Sequence, residues 1–136
     1  MRAKRLRGSA LVLAASALLI ASGCKKETDP RVHPDMVFKT GAGYTSADDT
    51  VGTQDTLLMG VIITKTEDPL IALNVSVAYD GGAQSTVHNQ SISGDHVEYD
   101  QQVITRDQAG TESWIFSVTD RDGNITTKSI KLTVVP

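Results

Sequence analysis

Ile71-Ala72-Leu73-Asn74-Val75-Ser76-Val77-Ala78-Tyr79 decides the fold. Ile71, Leu73, Val75, Val77 and Tyr79 alternate with Ala72, Asn74, Ser76 and Ala78. Successive side chains of a strand point to opposite faces, so this period of two buries one face and leaves the other toward water. Glu67-Asp68-Pro69 turns the chain into this strand and Asp80-Gly81-Gly82 ends it, both with residue types that favour turns.

The same alternation extends outward in both directions. Before it, Asp55 to Thr66 holds Leu57, Leu58, Met59, Val61, Ile62 and Ile63, a near-continuous apolar run that covers parts of both faces. Met36 to Lys39 reads as a short first strand. Thr40-Gly41-Ala42-Gly43-Tyr44 breaks it; no helical pattern follows to make a phosphate-binding turn of the Gly-x-Gly, so it reads as a kinked edge strand or a loop. After it, Gln84 to Ile92 is a polar, Ser/Thr-containing edge strand. Val87 and Ile92 lie there on opposite parities, which a bulge or a shorter strand accounts for. Val97, Tyr99, Gln101 and Val103 alternate again after the Ser93-Gly94-Asp95 turn. Trp114, Phe116 and Val118 share one face of the next strand, and Ile130, Leu132 and Val134 share one face of the last. Beyond the N-terminal apolar run there is no helical periodicity and no internal repeat. The expectation is an all-β chain: an antiparallel two-sheet immunoglobulin-like β-sandwich of about seven strands over residues 36–136.

Phe38-Lys39-Thr40-Gly41, Val75-Ser76-Val77-Ala78-Tyr79-Asp80-Gly81, Gln108-Ala109-Gly110-Thr111-Glu112-Ser113-Trp114 and Val118-Thr119-Asp120-Arg121-Asp122-Gly123-Asn124 together resemble small Gram-negative lipoproteins with one immunoglobulin-like or cadherin-like sandwich domain. These motifs define strands and turns and identify no active site. The chain lacks the cysteine pair of antibody domains, and its Trp lies on the penultimate strand. The resemblance implies a non-catalytic domain of the cell envelope.

The N-terminus carries an address. Arg2, Lys4, Arg5 and Arg7 precede a charge-free run from Gly8 to Gly23, almost wholly apolar from Leu11 to Ile20. A basic start, a short apolar core and small residues before a cut lay out a secretory signal peptide, here residues 1–23. The run is too short for a bilayer core of about 30 Å, which takes roughly 20 residues of helix. Ala21-Ser22-Gly23-Cys24 resembles the lipobox of bacterial lipoproteins, with Ala21 where Leu is commoner. The resemblance implies that Cys24, the single cysteine, becomes the N-terminus. It would carry diacylglycerol and further acyl chains such as palmitate, and would hold the chain at the outer membrane. Two or more chains make such an anchor stable. Residues 24–35 read as a tether, polar and carrying Pro30 and Pro34. Lys25-Lys26-Glu27 loosely resembles the short charged signals that send some lipoproteins to the cell surface.

Charge narrows the partners. Loss of residues 1–23 takes four of 13 basic residues and none of 16 acidic ones, leaving 9 − 16 = −7. That argues against nucleic acid or an anionic membrane surface as partner and leaves the membrane, through lipid, and a protein or glycan. With Cys24 lipidated, the folded part has no disulfide and no thiolate nucleophile, and it depends on its apolar core.

Candidate chemistry is sparse. Asp120, Asp122 and Asn124 alternate like the first ligands of a calcium loop, but Ile125 stands where such a loop needs Gly and no Glu closes it. Cadherin-like domains bind calcium at their ends, so the resemblance keeps calcium open beside the alternative, a hairpin turn held by its own Asp and Asn. Apart from calcium, no cofactor is expected. Asp48 and Asp49 read as a solvated pair in a loop. Thr50 in Asp49-Thr50-Val51 and Thr56 in Asp55-Thr56-Leu57 resemble the O-glycosylation sites of some Gram-negative bacteria. His33, His88 and His96 form no metal-binding pair and no motif marks a serine nucleophile, so no enzyme is expected. Trp114 reads as core, with Tyr44 and Tyr99 left as the candidate sugar-stacking rings. The expected function is an envelope binding or structural module. The alternative is an accessory subunit of a larger envelope complex for glycan capture or secretion.

Overall fold

The computed structural model describes residues 31–136. The expected signal peptide and Cys24 lie outside them. Eight strands follow in order: β1 (Asp35–Phe38), β2 (Asp49–Gly52), β3 (Thr56–Thr64), β4 (Leu70–Tyr79), β5 (Gln84–Ser91), β6 (His96–Ile104), β7 (Gly110–Asp120) and β8 (Ile125–Val135). They form two sheets, ordered β1-β3-β6 and β2-β8-β7-β4-β5. The chain is an all-β immunoglobulin-like sandwich, with no helix among the described residues.

Two details differ from the sequence reading. There are eight strands rather than about seven, and one pair is parallel: β2 runs beside the end of β8, from Asp49 opposite Leu132 to Gly52 opposite Val135. Four residues with a single buried side chain, Val51, are too short for a period of two to register. The kink between β1 and β2 is what permits the pairing. Gly41 and Gly43 have φ of +114° and +90°, a region glycine enters without steric cost. The chain thereby leaves one sheet and joins the other.

The core follows from the alternation. Met59, Val61 and Ile63 of β3 face Leu73, Val75 and Val77 of β4, Trp114, Phe116 and Val118 of β7, and Ile130 and Leu132 of β8; all are buried. Phe38 meets Phe116 edge to face across the sheets, ring centres 5.6 Å apart and planes at 84°. Each fully buried aliphatic or Phe side chain contributes about 1.5–3 kcal/mol, which is the main stabilisation open to a fold without disulfides.

Both explanations of the β5 parity hold. The strand stops at Ser91, before Ile92, and Val87 is an extra residue where Val75 pairs with His88 and Ser76 with Thr86. The fold also takes hold of the chain ahead of β1. Pro34 is buried and its carbonyl accepts from Thr126 Oγ1. His33 Nδ1 donates to the Ile125 carbonyl at 3.0 Å, and Thr66 Oγ1 donates to the His33 carbonyl at 2.8 Å. The chain therefore enters the sandwich at the end that carries the β3–β4 and β7–β8 turns.

Candidate functional site

Two carboxylates close the two ends of the core. The inward face of β7 runs Glu112, Trp114, Phe116, Val118, Asp120, every one buried. Glu112 is wholly buried, and both its oxygens are used. Oε1 accepts from Arg106 N at 2.8 Å and more weakly from Arg106 Nε at 3.4 Å, while Oε2 accepts from Trp114 Nε1 at 3.1 Å. Arg106 extends the cluster outward. Its Nη1 lies 2.9 Å from Asp80 Oδ2, and its guanidinium lies 4.3 Å from the centre of the Tyr79 ring. The Arg106 bond, with the Thr111 amide on Asp80 Oδ1, holds the Asp80 carboxyl below the usual carboxylate range. Thr105 ties the same end together, donating to the Gly52 carbonyl and accepting from Asp55 N.

Asp120 performs the same task at the other end. Burial pushes its carboxyl up, but the donors of Asn124 and of the turn amides outweigh burial and hold it below its ordinary value. Asn124 N reaches Oδ1 at 2.8 Å and Asn124 Nδ2 reaches Oδ2 at 3.0 Å. The structure thus brings Asp120 and Asn124 together through amide donors, while Asp122 stands exposed on the same turn. Among the described residues, no three His, Cys, Asp or Glu side chains gather about a common point. Reading only Trp114, Phe116 and Val118 as one face missed Glu112. Extending the same parity by two residues each way finds it, together with the burial of Asp120.

The other candidates are spread over the fold. Thr50 and Thr56 are both exposed. Asp48 is engaged by Lys131 N at 2.8 Å, and Asp49 belongs to β2 rather than to a loop. Trp114 is core, 5% exposed. His33 binds a carbonyl, His96 lies 3.4 Å from the Thr64 hydroxyl, and His88 Nε2 bonds the Gln90 side chain at 3.1 Å. None of these partners is a carboxylate, which would orient a histidine base, or a serine, whose proton such a base would take.

What is left is an edge. β6 pairs with β3 on one side and with no described strand on the other; β5 likewise pairs only with β4. These two edges lie on the same side of the sandwich, bridged by His88 and Tyr99, whose rings stack at 4.7 Å and 15°. Burial there pushes the Tyr99 hydroxyl up. Sheet counts of five against three leave β5 overhanging: its inward Ser85 and Gln90 are exposed and only His88 is covered. On the outer face, Lys39 lies 2.9 Å from Asp100, whose Oδ2 accepts from Tyr44 Oη at 3.1 Å. The bond to Asp100 is the main reason that Lys39 titrates above its ordinary value. Gly60 makes the cluster fit: a Cβ there would lie 2.6 Å from Asp100 Oδ1, 2.7 Å from Lys39 Cδ and 2.8 Å from Tyr44 Cε1. Tyr44 is thus tied into an ion-pair cluster and Tyr99 into a stack, so neither ring stands as a free sugar platform.

No family model matches the chain and no curated protein matches its sequence. Among solved structures, a family 123 glycoside hydrolase from Clostridium perfringens is 8% identical, with a TM-score of 0.54 over 76% of this chain and 27% of the hydrolase. The chain thus spans about a quarter of that protein. A CARDB domain from Pyrococcus furiosus is 16% identical over 76% of this chain and 96% of its own, with a TM-score of 0.45. Murine CRIg is 16% identical over 77% and 100%, with a TM-score of 0.47. At these identities the hydrolase likeness concerns the sandwich fold and nothing beyond it.

Proposed function

We propose that this chain is a lipid-anchored, non-catalytic binding module of the cell envelope, held at the outer membrane by Cys24 and engaging a protein or glycan partner. The observation that carries the binding role is the open β6 edge. Elsewhere the ionisable groups of the ends serve the fold, whereas an unpaired strand offers a row of backbone donors and acceptors for another chain. The lipid role is supported by Ala21-Ser22-Gly23-Cys24 and by the absence of any second cysteine. His33 docks beside the β7–β8 turn, so a lipid at Cys24, nine residues earlier, lies within roughly 30 Å of that end. Thr50 and Thr56 are exposed, as O-glycan acceptors must be, and the intact mass of the exported chain tests that modification.

The open edge equally favours a second reading, an accessory subunit whose edge a neighbour in an envelope complex covers. Labelling with an alkyne fatty acid, in wild type and Cys24→Ala, tests the anchor: label that persists in the variant overturns it. Protease shaving of intact cells, with lysed cells as control, separates the two readings. Digestion from outside supports a surface binding module, and protection until lysis supports the periplasmic subunit.

A further inference from the structure

The β6 edge is unlike the other three. β1 and β2 are four residues long, and β5 carries the Val87 bulge, a device that spoils an edge for further pairing. β6 pairs with β3 through nine registers without a shift and contains no proline. The direction of its backbone groups follows from the ladder. The carbonyls of Leu58 and Gly60 accept from Thr45 N and Lys39 N on the β1 side. The alternate residues of β3 therefore hydrogen-bond to β6, and by register their partners include Tyr99 and Gln101. The N–H and C=O groups of Glu98, Asp100 and Gln102 consequently point to the free side, with their side chains on the outer face; of these, the Gln102 carbonyl already accepts from Gln101 Nε2 at 2.8 Å.

Charge selects the occupant. Lys39 reaches Asp100 at 2.9 Å but Glu98 only at 4.0 Å, and 52% of the Glu98 side chain is exposed. Two β6 strands pairing antiparallel about Tyr99 would set Glu98 against Asp100, and about Asp100 would set that carboxylate against its copy. Like charges directly opposite are destabilising, which disfavours these two registers for a second copy. We infer that β6 accepts an extended segment of another protein in which Lys or Arg alternates with aliphatic residues. A basic side chain stands opposite Glu98, the carboxylate left exposed because Lys39 is engaged by Asp100, and the aliphatic ones turn inward beside Tyr99. This rests on the binding role proposed above and is independent of the lipid.

The test uses the full-length chain in non-ionic detergent and a fluorescein-labelled Lys-Val-Lys-Val-Lys-Val-Lys peptide. The controls are the Glu-Val counterpart and a peptide of the same Lys and Val content in block order. Anisotropy should show the alternating basic peptide binding at least tenfold tighter than either control. Amide exchange should slow at Glu98, Asp100 and Gln102 on binding. Gln102→Pro removes one free edge N–H, a position where an edge strand tolerates proline, and should abolish binding with the fold retained by circular dichroism. Glu98→Lys should weaken binding about three- to tenfold. Equal binding of alternating and block peptides, or protection away from β6, overturns the inference. So does a dimer that Gln102→Pro dissolves, which would make the occupant a second copy. Failure here leaves the acyl-labelling and shaving results untouched.

Discussion

Replacing Glu112 by Ala is the sharpest perturbation of the fold. The carboxylate is wholly buried and serves two short donors, Arg106 N at 2.8 Å and Trp114 Nε1 at 3.1 Å. Removing it strands both. A buried donor without a partner costs about 1–3 kcal/mol, so two cost roughly 2–6 kcal/mol, in line with about 3–5 kcal/mol for breaking a buried ion pair. Arg106 keeps Asp80, which limits its share of the loss. The expected cost is thus about 4 kcal/mol, a large part of the 5–15 kcal/mol that holds a typical domain folded. With a urea dependence of about 1.5 kcal/mol per M, the midpoint falls by roughly 2–3 M. Trp114 is the single tryptophan, and its fluorescence together with circular dichroism follows the unfolding. Glu112→Gln keeps one acceptor but sets its NH2 against one of the donors, and should cost about 1–3 kcal/mol. A loss below 1 kcal/mol for Glu112→Ala would refute the reasoning, since it would mean that the stranded donors find water or move at little cost.

Three further outcomes follow from the same geometry. Asp80 and Asp120 titrate below their ordinary values, so their stabilisation is present above about pH 4 and is lost as pH falls through the lowered folded values. Urea midpoints should be level near neutrality and drop in acid, with a smaller acid drop in Asp120→Asn; a drop that begins above pH 6 would point to the histidines instead. The Asn124 donors on the two Asp120 oxygens compete with a cation there, so millimolar calcium should leave the thermal midpoint unchanged; a rise of several degrees would assign Asp120, Asp122 and Asn124 as a calcium site. Gly60→Ala drives a methyl into Lys39, Tyr44 and Asp100 and should cost about 1–3 kcal/mol, whereas an unchanged melting temperature would show that these three side chains yield freely.

The sandwich was legible because burial on one face writes itself as alternation. β4, β6 and β7 each display it over enough residues to exceed chance, and the Trp114 parity placed that ring in the core. β2 was not legible: one buried residue in four leaves no period, and its partner is about 80 residues away and parallel. Glu112 and Asp120 were on the page, but an acidic residue at an inward position reads as the end of a strand unless its partners are known. Those partners, Arg106 on a loop and Asn124 across a turn, are supplied by the fold. The edge strands illustrate the same limit. A polar β5 announced an edge, while the open side of β6 depended on which strands flank it, a matter of topology rather than of composition.

On the function proposed above, β6 is the surface this domain offers to its partner. A photo-crosslinking residue placed at Gln102 on β6, or at Thr127 on the outer face of the other sheet, tests it in cells that express the full-length chain. One dominant adduct is expected from Gln102, mapping on the partner to a strand of alternating basic and aliphatic residues, and none from Thr127. An adduct from Thr127 with none from Gln102 would contradict it and move the interaction to the opposite face of the sandwich.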